Sequence, residues 1–272
     1  MLIAERLADF AFDLKYEDLP ASIVEAAQRH LFDSVACALG ASNVEPVRAL
    51  VGLALANGGR PDATILGTDS KIPVTAAALV GGTMVRYLDA NDIFAPGEGG
   101  GGHYSDAIPA LIALAEMQGA SGKELLTCIV AVYELQFAAG RAFSFGRRGF
   151  HSISQMSWAL PVVTTRMLGA NREAAVHAMG LAGATGLVLN TWLRPSETIP
   201  SIKGVASGLA AERAVEAAIL AASGITASRD ALEYISSRLQ ASDEASPDLN
   251  GVDGLGNCET MLVELSRCWR DG

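Results

Sequence analysis

Apolar residues recur at the spacing of a helix along most of the chain. After Pro20, small and branched apolar residues recur every three or four positions as far as Gly40, which is the period of one helical face. The same period predicts further helices over residues 2–12, 44–56, 73–88, 105–117, 151–168, 171–189 and 199–223, and one that starts at residue 121. No stretch alternates apolar and polar residues for long enough to form a sheet. The pattern therefore predicts an all-α helical bundle.

Local signals refine these boundaries. Ser121 and Glu124 have the spacing of a capping box, which marks the start of a helix. Pro161 predicts either a kink or a helix start within residues 151–168, because proline lacks the backbone donor that a helix interior needs. Residues 63–67 are a candidate for a short extended piece, and residues 143–149 are expected to form a loop.

Two segments interrupt the helical pattern. Residues 89–103 include four consecutive glycines at positions 99–102, and such a run favours a mobile loop over a helix. After residue 240 the chain becomes acidic and rich in small, turn-forming residues, although residues 255–269 could form a last short helix. We therefore expect a helical domain over residues 1–240, followed by an acidic linker and a short terminal helix over residues 241–272.

Composition narrows the class of protein. The chain has 272 residues, of which 50% are hydrophobic, so it can bury a large core; its net charge of -10 excludes a nucleic-acid partner, which needs a basic face. The four cysteines form no CxxC pair and no histidine stands at a metal-ligand spacing, so we expect buried or free thiols and no metal site. The N-terminus lacks the apolar stretch of a signal peptide. The best candidate for a membrane span, residues 174–193, is expected to be a buried helix. These features predict a cytoplasmic protein with no membrane partner.

Histidine and lysine are rare in this chain, with four residues of each, so their positions are informative. His103 follows the glycines at the start of a predicted helix, where free backbone N–H groups favour a bound carboxylate. Asp89 and Asp92 precede the glycines at an i, i+3 spacing and would face one side if the helix continued that far. Lys203 lies in an apolar helix of small residues, where a substrate carboxylate could be its counter-ion. For the two aspartates and the glycines, the alternative is a helix end followed by a flexible lid. For Lys203, the alternative is a side chain that extends to solvent.

Other polar residues carry weaker signals. His151 opens a helix and could be a capping histidine or a site residue, whereas His30 and His177 lie among alanines inside long helices and are expected to be structural. Three arginines could attract an anion, although we favour a solvated basic loop for Arg141, Arg147 and Arg148. The chain has no phosphate-binding loop, nucleophile elbow, zinc-protease motif or dinucleotide fingerprint. Acid–base chemistry on a small acid, without a metal or nucleotide cofactor, remains as the enzymatic option.

A series of short segments resembles the helical domain of the MmgE/PrpD family. The segments follow the family order from about residue 2 to residue 237. They include residues 31–40 (LFDSVACALG), 76–83, 88–92 (LDAND), 103–116 (HYSDAIPALIALAE), 119–126, 133–134, 149–151 (GFH), 168–170 and 201–203 (SIK).

The resemblance implies a cofactor-independent lyase or isomerase that moves a proton next to a carboxylate of a small di- or tricarboxylic acid. By analogy with the family, His103 is the acid/base, Lys203 binds a substrate carboxylate, and Asp92 orients or polarises the site. The family also implies a pocket between two domains and a homodimer formed through the helical domain. The implied substrate-binding residues are Asp89, Asn91, Tyr104, His151 and Ser207.

Two departures from the family pattern qualify this expectation. The family often has Asp-Asp-Thr where this chain has Asn91-Asp92-Ile93, and His-Pro where it has His103-Tyr104, so we expect a changed pocket. Family chains are also longer, with an α+β lid domain expected where this sequence stops. Three hypotheses follow: one subunit of a split enzyme with a separate lid polypeptide, a lidless enzyme, or a non-catalytic helical scaffold that binds a partner. Dehydration, decarboxylation and epimerisation all stay open.

Overall fold

The computed structural model of the chain describes residues 1–94, 101–143, 145–192 and 198–239. Almost all regular structure in these ranges is helical, which confirms the predicted all-α class. The helices are α1 (Ile3–Asp13), α2 (Ala21–Ala41), α3 (Glu45–Asn57), α4 (Val74–Tyr87), α5 (Ile108–Gln118), α6 (Gly122–Phe143), α7 (Met156–Met167), α8 (Arg172–Thr185), α9 (Ile202–Ala222) and α10 (Ala231–Leu239). Short 3-10 turns span Tyr16–Asp18, Tyr104–Ala107, Phe145–Arg148 and Ser152–Gln155. The predicted linker and terminal helix over residues 241–272 lie outside the described residues.

The predicted extended piece at residues 63–67 is one arm of a short hairpin. Strand β1 (Ala63–Thr64) pairs antiparallel with β2 (Lys71–Ile72), and Ala63 lies opposite Ile72. Both of these apolar residues are buried, whereas Lys71 extends outward to Glu116 at 2.8 Å. The hairpin therefore packs on the bundle through one apolar face.

One helix ends earlier than predicted, and another helix was not predicted. The predicted helix over residues 171–189 ends at Thr185, because the following segment pairs with residues 149–151 instead: His151 N–H donates to the Val188 carbonyl at 2.8 Å, and Asn190 N–H donates to the Gly149 carbonyl at 2.9 Å. Helix α10 was not predicted from the sequence. It docks through the buried Leu232 against α8 and α1, a tertiary contact that its own short sequence does not reveal.

The two local signals in α6 and α7 are realised in part. Ser121 accepts a hydrogen bond from the Glu124 N–H at 3.2 Å, as the capping box predicts, but the Glu124 carboxylate binds Arg166 of α7 at 2.8 and 2.9 Å. Helix α7 begins at Met156, five residues before Pro161, rather than at the proline. A 3-10 turn leads into it, so Pro161 lies in the second turn of a helix that is buried along most of its length.

Helix α6 forms the centre of the bundle. It is the one helix within the described ranges that is long and apolar enough to cross a membrane by composition, and 83% of its apolar window is buried inside the fold. Residues 174–193, the candidate span considered from the sequence, do not form one continuous helix. The length and apolar character of α6 thus match its burial as a core helix.

Helices α4 and α9 make the most extensive helix–helix contact. Gly82 and Gly208 lie at the crossing, where a Cβ atom added to Gly82 would be 2.9 Å from the Gly208 Cα. A Cβ added to Gly208 would be 3.0 Å from the Thr83 nitrogen and closer still to the Leu79 carbonyl oxygen. Only glycine permits this approach. The crossing brings Lys203, near the start of α9, beside the residues that follow α4.

Candidate active site

The chain leaves α4 through an unusual backbone conformation at Asp89. The φ angle of this residue is +58°, the only positive φ among the described residues other than glycine. Helix α4 ends at Tyr87, close to the predicted end at residue 88, and the left-handed residue turns the chain, so the condition under which Asp89 and Asp92 would share one helix face is not met. The two carboxylates consequently point in different directions, one toward α9 and the other into the core.

The Asp89 carboxylate is the meeting point of three cationic or basic side chains. It accepts hydrogen bonds from Lys203 Nζ and from Arg86 Nη1, and its Oδ1 atom lies 3.7 Å from His103 Nε2. Partial burial would raise the pKa of Asp89, but the bond from Lys203 and the charge of Arg86 lower this pKa to about 2. Lys203 was expected to need a substrate carboxylate, yet within the described structure its partner is Asp89. We call Arg86, Asp89, His103, His151 and Lys203 the Asp89 cluster.

Both histidines of the Asp89 cluster are neutral near pH 7. Burial is the main cause that lowers the pKa of His103 to about 4, and the charge of Arg86 adds to it, although Asp92 and Asp89 oppose the shift. Burial also lowers the pKa of His151 to about 4, again together with Arg86 and with His103 and Lys203. Each imidazole can therefore accept a proton.

His151 also has the capping contact considered from the sequence. Its Nδ1 accepts a hydrogen bond from the Ile153 N–H at 3.2 Å, so the neutral ring carries its proton on Nε2. The ring packs against Trp192 with 5.1 Å between centroids. The capping bond and the aromatic contact fix the orientation of His151 beside the cluster.

Asp92 lies behind the cluster, in the core. It is 3% exposed, and its carboxylate accepts hydrogen bonds from the Ser105 N–H at 3.2 Å, from the Ser105 hydroxyl and from the Tyr133 hydroxyl at 3.0 Å. His30 of α2 approaches the same carboxylate, with 3.7 Å between Nδ1 and Oδ2. Asp92 therefore anchors the segment that carries His103 to α6 and α2.

Two charged residues of this region were missed by the sequence analysis. The Arg86 side chain is 4% exposed, and its Nε lies 3.7 Å from Oδ2 of Asp106, which is also buried. Burial raises the pKa of Asp106 to about 8, against the opposing charge of Arg86. Asn91 donates to Asp106 Oδ1 at 2.9 Å and to the Ser105 hydroxyl at 2.8 Å. A single cation near the end of the very apolar α4 was the signal that could have identified Arg86.

Two predicted substrate-binding residues are committed to packing. Tyr104 is 1% exposed and contacts Phe94 and Tyr133 with ring centroids 5.6 and 5.7 Å apart. Ser207 is fully buried at the α4–α9 crossing, where its hydroxyl donates to the Gly82 carbonyl at 3.3 Å. The structure thus brings Asp89, His103, His151 and Lys203 together, and it holds Tyr104 and Ser207 in the helix packing.

The loop and the remaining candidates add little to the site. Residues 95–100 of the predicted glycine loop lie outside the described residues, but Gly102 pairs with Phe94 through two backbone bonds of 2.8 and 2.9 Å. His177 contacts the Ala227 carbonyl at 2.9 Å and Glu173 at 3.3 Å, a structural environment. Cys37 and Cys128 form no disulfide bond in the described part of the chain, which also contains no group of three or more residues suited to a metal.

The chain matches a known protein family over most of its length. The family model described as the MmgE/PrpD N-terminal domain matches residues 5–241, which include most of α1, helices α2 to α10 and the Asp89 cluster. The chain belongs to the MmgE/PrpD family. The resemblance drawn from the short segments is thereby confirmed, and the helical fold is the one that the N-terminal domain of this family predicts.

Individual MmgE/PrpD relatives carry dehydratase names. The chain is 28% identical over 234 residues to the mitochondrial 2-methylcitrate dehydratase of Yarrowia lipolytica, an alignment that covers 82% of this chain and 44% of the relative. It is 29% identical over 222 residues to the 2-methylcitrate dehydratase of Escherichia coli K12, which covers 78% and 45%. A probable 2-methylcitrate dehydratase of Saccharomyces cerevisiae is 27% identical over 229 residues, covering 79% and 44%. The chain spans less than half the length of these relatives.

Proposed function

We propose that this chain supplies the helical half of the active site of a dehydratase-type lyase. Its substrate would be a small di- or tricarboxylic acid, and the reaction would begin with proton transfer next to a carboxylate, without a cofactor. The observation that carries the proposal is the convergence of His103 and Lys203 on the Asp89 carboxylate, with the neutral imidazole of His151 nearby. The names of the MmgE/PrpD relatives support dehydration over the other reactions that the sequence left open.

His103 is the proposed general base. At neutral pH its imidazole is uncharged and can take a proton from the carbon next to a substrate carboxylate. The electron pair of that C–H bond then forms a carbon–carbon double bond, and the neighbouring hydroxyl leaves as water once it is protonated. A pKa of about 4 makes His103 a weak base in the free chain, but the negative charge of a bound substrate raises this pKa toward the working pH.

Lys203 and Asp92 have supporting roles in this proposal. Lys203, whose side chain is 28% exposed, offers an ammonium group to a substrate carboxylate at the edge of the cluster. Asp92 acts as a positioning residue, since its bonds to Ser105 fix the backbone two residues after His103.

We also propose that a second unit closes this site. The MmgE/PrpD relatives are more than twice as long as the parts that align with this chain, and the unmatched part would cover the Asp89 cluster and add further substrate contacts. The Asp89 carboxylate and the Lys203 ammonium are 43% and 28% exposed, so the cluster is accessible from outside the helical bundle.

Proton exchange tests the proposal. The chain is incubated in D₂O with citrate, 2-methylcitrate or succinate, and exchange of the carbon-bound protons is followed by NMR together with the appearance of an unsaturated acid. We expect His103→Gln to slow exchange by about a hundredfold or more, the usual contribution of a general base. His177→Gln is the matched control, because His177 is also a partly buried histidine but lies outside the cluster.

Two outcomes would count against this function. Exchange that proceeds equally well in His103→Gln would remove His103 from the chemistry. An absence of exchange with all three acids, both in the unaltered chain alone and together with any polypeptide that co-purifies with it, would instead favour the non-catalytic scaffold considered from the sequence.

A further inference from the structure

Arg86 is the most deeply buried cation of the Asp89 cluster, and the proposed mechanism does not use it. Its side chain is 4% exposed, compared with 28% for Lys203. A buried guanidinium needs an anionic partner, because removing its charge from water is costly. In the described structure the nearest carboxylate bound to Arg86 is that of Asp89.

The partner of Arg86 lies at the surface of the cluster. The Asp89 side chain is 43% exposed, so a ligand from solvent can reach the position of its carboxylate. The carboxylate bridges Arg86 and Lys203 and lies 3.7 Å from His103. A carboxylate of a ligand in the same position would make the same two ion pairs and would place its adjacent carbon near the imidazole.

The buried carboxyl group of Asp106 lies behind Arg86 and can accept a hydrogen bond from it. Arg86 Nε and Asp106 Oδ2 are both buried, have no hydrogen-bond partner among the described residues, and face each other at 3.7 Å. A shift of less than 1 Å would bring them to hydrogen-bond distance. Asp106 can therefore keep the guanidinium in place, on the inner side, while its outer side exchanges one carboxylate for another.

We infer that Arg86 is a carboxylate-binding and specificity-determining residue of this site, and that Asp89 occupies the position of the ligand carboxylate in the unliganded chain. The ligand would displace Asp89 from Arg86, and Asp106 would hold Arg86 from behind. This inference rests on the proposed function for the class of ligand, a small polycarboxylate, but it concerns binding alone and requires no turnover.

Citrate binding to the full chain, measured by isothermal titration calorimetry, tests the inference. Asp89→Asn removes the competing charge and keeps the side-chain shape, and asparagine tolerates a positive φ. We expect this variant to bind citrate about tenfold more tightly than the unaltered chain, because the Asp89 carboxylate no longer competes with citrate for Arg86. Glu216→Gln is the matched control: it removes an exposed carboxylate from α9 outside the cluster and should leave the affinity unchanged.

The double variant assigns the effect to Arg86. Adding Arg86→Gln to Asp89→Asn should abolish the gain in affinity. Arg86→Lys in the same background should lose part of the gain, because lysine keeps the positive charge but lacks the paired N–H donors of the guanidinium. Circular dichroism would verify that each variant folds. Equal or weaker citrate binding by Asp89→Asn would overturn the inference, as would a gain that survives Arg86→Gln, or no binding at millimolar citrate.

The binding and exchange experiments distinguish the two proposals. Citrate binding that depends on Arg86, without any proton exchange, would contradict the proposed reaction and support this inference. Proton exchange that depends on His103 but not on Arg86 would support the reaction and contradict this inference.

Discussion

The close crossing of α4 and α9 predicts a large effect from one methyl group. In Gly208→Ala the new Cβ would lie 3.0 Å from the Thr83 nitrogen and closer to the Leu79 carbonyl oxygen, whereas ordinary contacts begin near 3.4 Å. The backbone of α4 must therefore retreat. Overpacking of this kind costs about 1–3 kcal/mol. The Thr83 hydroxyl bond to Leu79 O, now 2.8 Å long, would be lost at a cost of about 1 kcal/mol.

Against these costs, alanine gains about 1 kcal/mol of helix propensity over glycine. The net expectation is a fall of about 2 kcal/mol in the free energy of unfolding. In a chain of this size that corresponds to a drop of roughly 4–8 °C in Tm. Urea denaturation followed by far-UV circular dichroism measures the change, which should lower the midpoint and leave the m value unaltered.

Gly52→Ala provides the comparison. Gly52 is exposed inside α3, and an added Cβ meets nothing within 4 Å, so this variant should gain up to about 1 kcal/mol. If Gly208→Ala proved as stable as Gly52→Ala, the tight crossing described above would not exist in solution.

Two further predictions concern pH and assembly. The pKa of His103 falls from 6.5 to about 4 on folding. Between these pH values the unfolded chain therefore binds a proton that the folded chain does not, and the free energy of unfolding declines as the pH falls. The total decline is roughly 3 kcal/mol. If the free energy of unfolding is measured by denaturation at several values from pH 7 to pH 4.5, it should decline less in His103→Gln than in the unaltered chain. An equal decline in both proteins would contradict a buried, neutral His103 imidazole. Exposed apolar side chains such as Phe32 at 78% and Leu53 at 56% predict self-association. Light scattering after size exclusion should give about twice 28.2 kDa, and a monomer at micromolar concentration would argue against a dimer.

The helices were predictable because each buries one apolar face on its neighbours. In α2 the periodic residues Ile23, Ala26, Ala27 and Ala38 are all buried, as their spacing required. The errors arose where tertiary contacts overrule local preference. Residues 187–190 pair with residues 149–151 instead of extending α8, and α10 depends on docking through Leu232. Neither partner segment can be recognised from the local pattern.

The candidate site was predictable as a set of residues but not as an arrangement. Rarity and the family resemblance identified His103 and Lys203, and the structure brings both to one carboxylate. The sequence could not show that this carboxylate belongs to Asp89, because the left-handed conformation that turns Asp89 away from Asp92 cannot be recognised from the residue pattern. Arg86 and Asp106 escaped notice because burial, not residue type, gives them their properties.

The α4–α9 crossing also sets an order of events during synthesis. Gly82 and Ser207, whose backbone and side chain are in contact there, are 125 positions apart in the chain. At roughly 5–20 residues per second, α4 leaves the ribosome about ten seconds before α9 can cover it. During that interval the face of α4 that packs on α9 is exposed, so a chaperone that binds nascent chains would find an apolar surface there. A ribosomal pause within α8 would prolong that exposure.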